Sequence, residues 1–302
     1  MLPTIPELLL TLLREQYGPE EAERVTAGFV RRAVTLRVNT LKSNSGEVTA
    51  ALDAAGIAWQ AVPWYADALI LPGSREEALR ALPLYEQGGV YLQSLSSMIP
   101  PLLLSPLPGE TILDMAAAPG GKTTQMAALS GSGALITACE KNAIRADRLQ
   151  FNLDRQGAKR VSVMRTDARQ LDDLFRFDKI LLDAPCSGSG TIVIAEDEPQ
   201  RRMTPDWLRK TAATQKALLQ KALRLLSPGH EMVYSTCSVL RMENEDVLNA
   251  VLPGAKAEVV PIDHGMTRDL PLLPVAIPGT LCVRPDALHE GFFAARIRKL
   301  KS

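Results

Sequence analysis

The sequence predicts an α/β protein: a largely parallel sheet with helices on both faces, preceded by a smaller α+β unit. Three observations predict it. From residue 111 onward, short apolar runs alternate with helical patterns. Four acids, Asp114, Glu140, Asp167 and Asp183, fall at or just past the ends of predicted strands, the edge at which such sheets bind ligands. A tight Pro119-Gly120-Gly121 turn joins the first of those strands to a helix, proline fixing φ and glycine tolerating positive φ.

The elements follow in order. Apolar residues at helical spacing predict a helical pair over 5–17 and 19–29, broken at Gly18-Pro19. Alternation over 34–40 predicts a strand, and 45–55 a helix ended by Gly56. Short strands are expected over 57–62 and 68–71, then a capping box, Ser74-Arg75-Glu76-Glu77, before a short helix. The small unit is placed at 1–84 and the larger one at 85–302. Residues 85–104 form a bridge, with a helix over 96–104 kinked or restarted at Pro100-Pro101. Strands are then predicted at 112–113, 134–139, 161–165, 178–182, 231–234 and 292–297. Helices are predicted at 143–156, capped by Asn142, at 205–226, capped by Thr204 with Pro205 in the first position, and at 243–251. The Pro- and Gly-rich stretch 253–285 yields no clear elements.

The whole chain bounds the answer. Its 302 residues suit one large domain, alone or with a small one. Lys plus Arg equals Asp plus Glu at 34 each, so net charge gives no argument for nucleic acid, and any basic surface must come from local clustering. The cysteines, Cys139, Cys186, Cys237 and Cys282, form no C-x-x-C pair, so no metal is expected. No secretory signal or membrane span is expected, and the simplest setting is a reducing cytoplasm with free thiols and a monomeric protein.

The turn at 119–121 admits three cofactor readings. A phosphate loop would need glycine at position 116, which is Ala116, and a dinucleotide fingerprint would need glycine at 118, which is Ala118. The third is S-adenosylmethionine, with Asp114 and Glu140 ending the first two strands. Small residues at 116–118 leave the loop backbone accessible, and the helix after it begins with free N–H groups. Cys186 and Cys237 each follow a predicted strand on the same edge, which favours a chemical role. Cys139 and Cys282 lack that context and read as buried hydrophobes.

Three motifs in order, Asp114-Met-Ala-Ala-Ala-Pro-Gly-Gly-Lys122, Asp183-Ala-Pro-Cys-Ser-Gly-Ser-Gly190 and Ser235-Thr-Cys-Ser238, resemble the RNA cytosine-5 methyltransferases. These include bacterial 16S ribosomal RNA enzymes and their eukaryotic nucleolar relatives. The paired Pro-Cys and Thr-Cys motifs are highly specific. The resemblance runs from residue 36 to the C-terminus, since Leu36-Arg-Val-Asn-Thr-Leu-Lys42 also fits. It implies a Rossmann-like class I methyltransferase domain after a small RNA-recognition-like unit. It also implies Cys237 as the nucleophile on carbon 6 of a flipped cytosine, Cys186 assisting product release, and Asp183 on the cytosine edge and facing the cofactor. For S-adenosylmethionine it implies Ala116, Ala117, Ala118, Pro119, Gly120, Gly121 and Lys122 around the methionine and ribose. Glu140 is implied on the ribose hydroxyls and Asp167 near the adenine amine. The family often carries an acid after the glutamine matching Gln93; here Ser94 follows. The expected partner is RNA, ribosomal or transfer. Candidate phosphate contacts are Arg31, Arg32, Arg37 and Lys42, and Arg201, Arg202, Arg209 and Lys210; Arg145 and Arg148 are helix-surface charges with a possible cofactor or RNA contact. Glu196-Asp197-Glu198 reads as a solvated loop. The alternatives are a non-catalytic RNA-binding or ribosome-assembly factor, and a small-molecule or protein methyltransferase, which leaves the second cysteine unexplained.

Overall fold

The computed structural model describes residues 5–194 and 203–301. Helix α1 (Glu7–Tyr17) and helix α2 (Pro19–Ala27) form the helical pair, separated by Gly18 at φ 80° with Pro19 opening α2. Leu9, Leu13, Ala22 and Val25 are fully buried, and they join the core cluster that lies on one face of the large sheet. The N-terminal helices therefore pack on the second unit, not on the first.

The small unit is β1 (Val34–Val38), α3 (Ser45–Ala54), β2 (Gln60–Val62), β3 (Tyr65–Leu71), the short helices α4 (Glu76–Arg80) and α5 (Pro83–Glu86), and β4 (Val90–Leu92). Its sheet is antiparallel, in the order β2-β3-β1-β4. Alternation along β1 buries Leu36 and Val38 with Val48 and Leu52 of α3. Two expectations are corrected here. The strand at 90–92, assigned to the larger unit, pairs with β1. The capping box does not form: Ser74 closes the turn after β3, its N–H donating to the Leu71 carbonyl, and Arg75 occupies the cap of α4 without a side-chain bond.

Helix α6 (Leu95–Leu104) continues through Pro100 and Pro101 without a restart. Pro101 cannot donate to the Ser97 carbonyl, but Gln93 Nε2 does so instead, at 3.2 Å.

The large sheet is built from β5 (Thr111–Asp114), β6 (Leu135–Cys139), β7 (Val161–Met164), β8 (Phe177–Asp183) and β9 (Leu226–Thr236), all parallel. To these are added β10 (Ala257–Val260), β11 (Leu281–Val283) and β12 (Phe292–Lys299). The order is β10-β12-β9-β8-β5-β6-β7, with β11 and β10 both antiparallel to β12, and β12 antiparallel to β9. The intervening helices are α7 (Gly121–Leu129), α8 (Ala143–Gln156), α9 (Pro205–Leu225) and α10 (Glu245–Val251). The predicted caps form: Asn142 accepts from the Arg145 N–H and Thr204 from the Trp207 N–H. Alternate strand residues enter opposite cores. Leu113, Ile180 and Leu182 lie with α9, while Ile112 and Leu181 lie with α6 and α7. From β5 the chain winds first to β6 and β7, then returns to β8 on the other side. That reversal opens a crevice at the carboxyl ends of β5 and β8, where such sheets hold ligands.

Candidate active site

Asp114 ends β5 and is buried, accepting a hydrogen bond from Thr123 Oγ1 at 2.7 Å. Burial pushes its pKa up to about 6. The loop that follows is tied down by its carbonyls. Arg145 Nη2 donates to the Ala118 oxygen at 2.8 Å, and Asn152 Nδ2 to the Pro119 oxygen at 2.7 Å. Gly120 sits at φ 108°, where a side chain would be strained and a Cβ would also meet Leu149 Cδ1 at 3.0 Å. The turn and the start of α7 thus require glycine at that position.

Lys122, in the first turn of α7, lies 2.7 Å from Asp183 Oδ2 and donates to Ser97 Oγ at 2.8 Å. Burial opposes its charge, but the Asp183 carboxylate outweighs burial and holds its pKa above that of an ordinary lysine. The other oxygen of Asp183 accepts from Ser235 Oγ at 2.7 Å. Both carboxylate oxygens are therefore fixed from neighbouring elements.

Strands β8 and β9 end side by side and deliver the two cysteines together: Cys186 Sγ lies 3.0 Å from Cys237 Sγ. Their loops share one carboxylate. Glu243, fully buried, accepts from the Ser187 N–H at 2.7 Å, from Ser187 Oγ at 2.5 Å and from Ser238 Oγ at 2.5 Å. It thus grips the residue after each cysteine. Asn244 adds a second hold, donating to the Ser238 carbonyl and accepting from Thr236 Oγ1. Gly190 donates to the Cys237 carbonyl, and a Cβ there would lie 1.9 Å from the Gly291 oxygen, so glycine is needed at 190 for close backbone packing. The hydrogen bond with Cys237, then burial, then the charges of Cys237 and Glu243 raise the pKa of Cys186 well above that of a free thiol. Burial pushes Cys139 and Cys282 up to about 12. Glu243 and Asn244 are the residues that sequence reasoning missed. No sequence signal marks Glu243, because the Ser187 that it holds lies 56 residues away.

Two cavities meet at Ala116. One, about 320 Å³, is lined by Ala116, Ala117, Ala118, Pro119, Gly121 and Lys122 together with Asp114, Asp183, Cys237 and Phe292. The other, about 60 Å³, is lined by Glu140, Asp167, Pro185 and Leu218. Glu140 accepts from the Asn142 N–H at 2.8 Å and pairs with Arg145 at 3.3 Å. Hydrogen bonds from Arg169 hold the pKa of Asp167 below that of an ordinary aspartate. Gly120 and Cys186 line neither cavity but adjoin lining residues.

A family model described as 16S rRNA methyltransferase RsmB/F matches residues 101–298, and one described as an RsmF/B-like ferredoxin-like domain matches residues 5–76. The chain belongs to the RsmB/F family of 16S rRNA methyltransferases. It is similar to the ribosomal RNA small subunit methyltransferase F of Shewanella amazonensis, at 36% identity over 290 residues, covering 89% of this chain and 58% of that protein. The protein of the same description from Salmonella paratyphi A is 37% identical over 312 residues, covering 98% of this chain and 64% of that protein. The chain thus spans roughly three fifths of the length of these RsmF relatives. A solved methyltransferase homologue from Pyrococcus horikoshii matches with a TM-score of 0.79 at 32% identity, over 98% of this chain and 100% of that one. NSun6 from the same organism shares the fold, with a TM-score of 0.88 at 24% identity over 99% of this chain and 100% of that one.

The methyl donor of the RsmB/F family, S-adenosylmethionine, fits this edge. Carboxylates stand at the ends of β5 and β6 and beyond β7, and the loop between the cavities is of small residues. One candidate phosphate contact is corrected. Arg37 is fully buried, donating to Gln93 Oε1 and Thr124 Oγ1 at 2.9 Å each, and burial lowers its pKa to about 10. It joins the small sheet to α7 and cannot reach a phosphate. Arg32 donates to the carbonyls of His289 and Gly190, Lys42 to those of Gln87 and Arg155, and Arg209 and Lys210 pair with Asp206. Arg201, Arg202 and the 196–198 loop lie outside the described residues. Among the described residues no helix is long and apolar enough to cross a membrane, and no group of three or more His, Cys, Asp or Glu could hold a metal ion.

Proposed function

We propose that this protein methylates carbon 5 of cytosine in RNA, with ribosomal RNA as the substrate class and transfer RNA as the competitor to test against it. The observation that carries the reading is the pair of thiols 3.0 Å apart, both loops gripped by Glu243. A methyltransferase acting on an already nucleophilic oxygen or nitrogen needs no such pair.

When bound, S-adenosylmethionine supplies a methyl group on a positively charged sulfonium. Glu140 would hold the ribose hydroxyls, Asp167 the adenine amine, and residues 116–122 the methionine and ribose. Cytosine carbon 5 is a poor nucleophile until a group adds at carbon 6. Cys237, as the thiolate, forms that sulfur–carbon bond, and the displaced electron pair makes carbon 5 enamine-like and able to take the methyl group. The carbon 5 hydrogen then leaves as a proton, the sulfur–carbon bond breaks, and the ring regains its double bond with Cys237 free. Asp183, fixed between Lys122 and Ser235, meets the N3 edge of the base. Cys186 remains a thiol at neutral pH beside the attacking sulfur, and in this position assists release of the product. A paired cytosine has to leave its helix to enter.

The test is methyl transfer from labelled S-adenosylmethionine to unmethylated small-subunit ribosomal RNA and to transfer RNA, with the modified atom identified by mass spectrometry. Cys237→Ala should lose transfer, and Cys186→Ala should accumulate a denaturant-resistant RNA–protein adduct. Full turnover by Cys237→Ala, or methyl on any other atom, overturns the mechanism.

A further inference from the structure

A second groove, about 610 Å³, opens beside the active-site cavity, and Tyr91, Leu92 and Pro119 line both. Its far wall comes from α4, α5 and α8. There Arg80, Tyr85, Arg155 and Phe151 form a ladder in which guanidinium and ring alternate. Arg80 Cζ lies 5.2 Å from the Tyr85 ring centre, while Arg155 Cζ lies 4.5 Å from that of Tyr85 and 5.7 Å from that of Phe151. Arg148 completes the wall and has no hydrogen-bond or ion-pair partner among the described residues. No carboxylate is among the lining residues, although Arg80 is shared with Glu76 at 2.7 Å. Arg155 Nε is buried with no hydrogen-bond partner.

Phe151 is the informative residue. It is 63% exposed, one helical turn before Arg155, on a face where a soluble helix would ordinarily carry a polar side chain. An exposed ring beside unneutralised guanidinium groups suits a chain that offers flat bases and phosphates in alternation. Single-stranded nucleic acid is such a chain, since bases stack on rings and phosphates pair with arginine.

We propose that this groove holds the single-stranded RNA that flanks the target nucleotide, a neighbouring base lying on Phe151 and its phosphates meeting Arg148 and Arg155. The assignment rests on the RNA-methyltransferase reading for the identity of the ligand, and on the shared residues Tyr91, Leu92 and Pro119 for its path into the active site. The groove is built from both units, so the small unit takes part in the grip through Arg80 and Tyr85.

The test uses full-length protein, in vitro transcribed 16S ribosomal RNA and short single-stranded RNA oligonucleotides. Affinity is measured by fluorescence anisotropy over a salt series, and S-adenosylmethionine binding by calorimetry. Phe151→Ala and Arg148→Ala should each weaken RNA binding about tenfold, within the range of a lost base stack or phosphate contact. Arg148→Ala should also lower the slope of log affinity against log salt by about 0.7. Cofactor affinity should stay within twofold, which separates the groove from a folding defect. RNA affinity within twofold of the parent in both variants, with methyl transfer intact, overturns the groove and leaves the catalytic reading standing. A parent that binds RNA through the groove but transfers no methyl group overturns the catalytic reading and leaves the groove. A parent that binds none of these RNAs overturns both.

Discussion

The two halves of the ligand-binding edge are built on opposite plans. On the β6–β7 side each acid is held by its own neighbourhood. Arg169 is two residues from Asp167, and Arg145 is five from Glu140 on the next helix. On the β8–β9 side, Glu243 reaches Ser187 across 56 residues of chain, and Cys186 reaches Cys237 across 51. The first side is a set of loops whose acids are held by near neighbours, with Arg145 also reaching the Ala118 carbonyl. The second is one network, which forms only when both strands are in place. Damage to the first should therefore stay local, and damage to the second should spread.

The sharpest way to break that comparison is at its centre. Glu243→Ala removes the acceptor shared by the Ser187 N–H, Ser187 Oγ and Ser238 Oγ, at about 1–3 kcal/mol for each buried donor that loses its bond. Chemical denaturation should show a loss of about 3 kcal/mol or more, and methyl transfer should fall while cofactor affinity changes little. A mild loss would mean that the two cysteine loops are independent after all.

Asp114 stands at the boundary between the halves and gives an effect of intermediate size. Its pKa is about 6 in the folded protein against an ordinary 3.8. Between those values the folded state holds a proton that the unfolded chain releases, so stability falls as pH rises through this window. The loss is complete above pH 6 and amounts to about 3 kcal/mol. Asp114→Asn, which keeps an acceptor for Thr123, should flatten the stability profile between pH 4 and 6 and raise the melting temperature at pH 7.5. An unchanged profile would place the titration elsewhere.

The smallest effect belongs to the local side. Arg169→Ala removes a partly exposed pair and should cost about 1 kcal/mol or less. The Asp167 carboxyl, followed by NMR titration, should rise toward its ordinary value. A loss comparable to that of Glu243→Ala would erase the distinction between the halves.

The same distinction explains what was readable in the sequence. Asn142 and Thr204 caps, the Pro119-Gly120 turn, and acids after strands are local signals, and each led to the right element. Cys186 and Cys237 were legible as a pair because each follows a strand of a parallel sheet, and β8 and β9 proved to be neighbours. Glu243 was invisible, since its role depends on Ser187, which is far away in sequence. Arg37 misled for a related reason. Alternation correctly turns it away from Leu36 and Val38, and an exposed face is the ordinary inference. Only the fold shows that α7 covers that face. Strands β10 and β11 escaped because they are short and antiparallel at or near the edge, within a Pro- and Gly-rich stretch.

That buried guanidinium has a wider consequence. Arg37 finds its partners on Gln93 and Thr124, Asn39 finds one on the Gln156 carbonyl, and neither set lies within the β1–β3 segment that carries them. Cut loose, the small unit would lose the Thr124 partner of Arg37 and the Gln156 partner of Asn39, each on the face meant to be interior. The inner face of the small unit is thus finished by residues of the larger one, and the two are completed together.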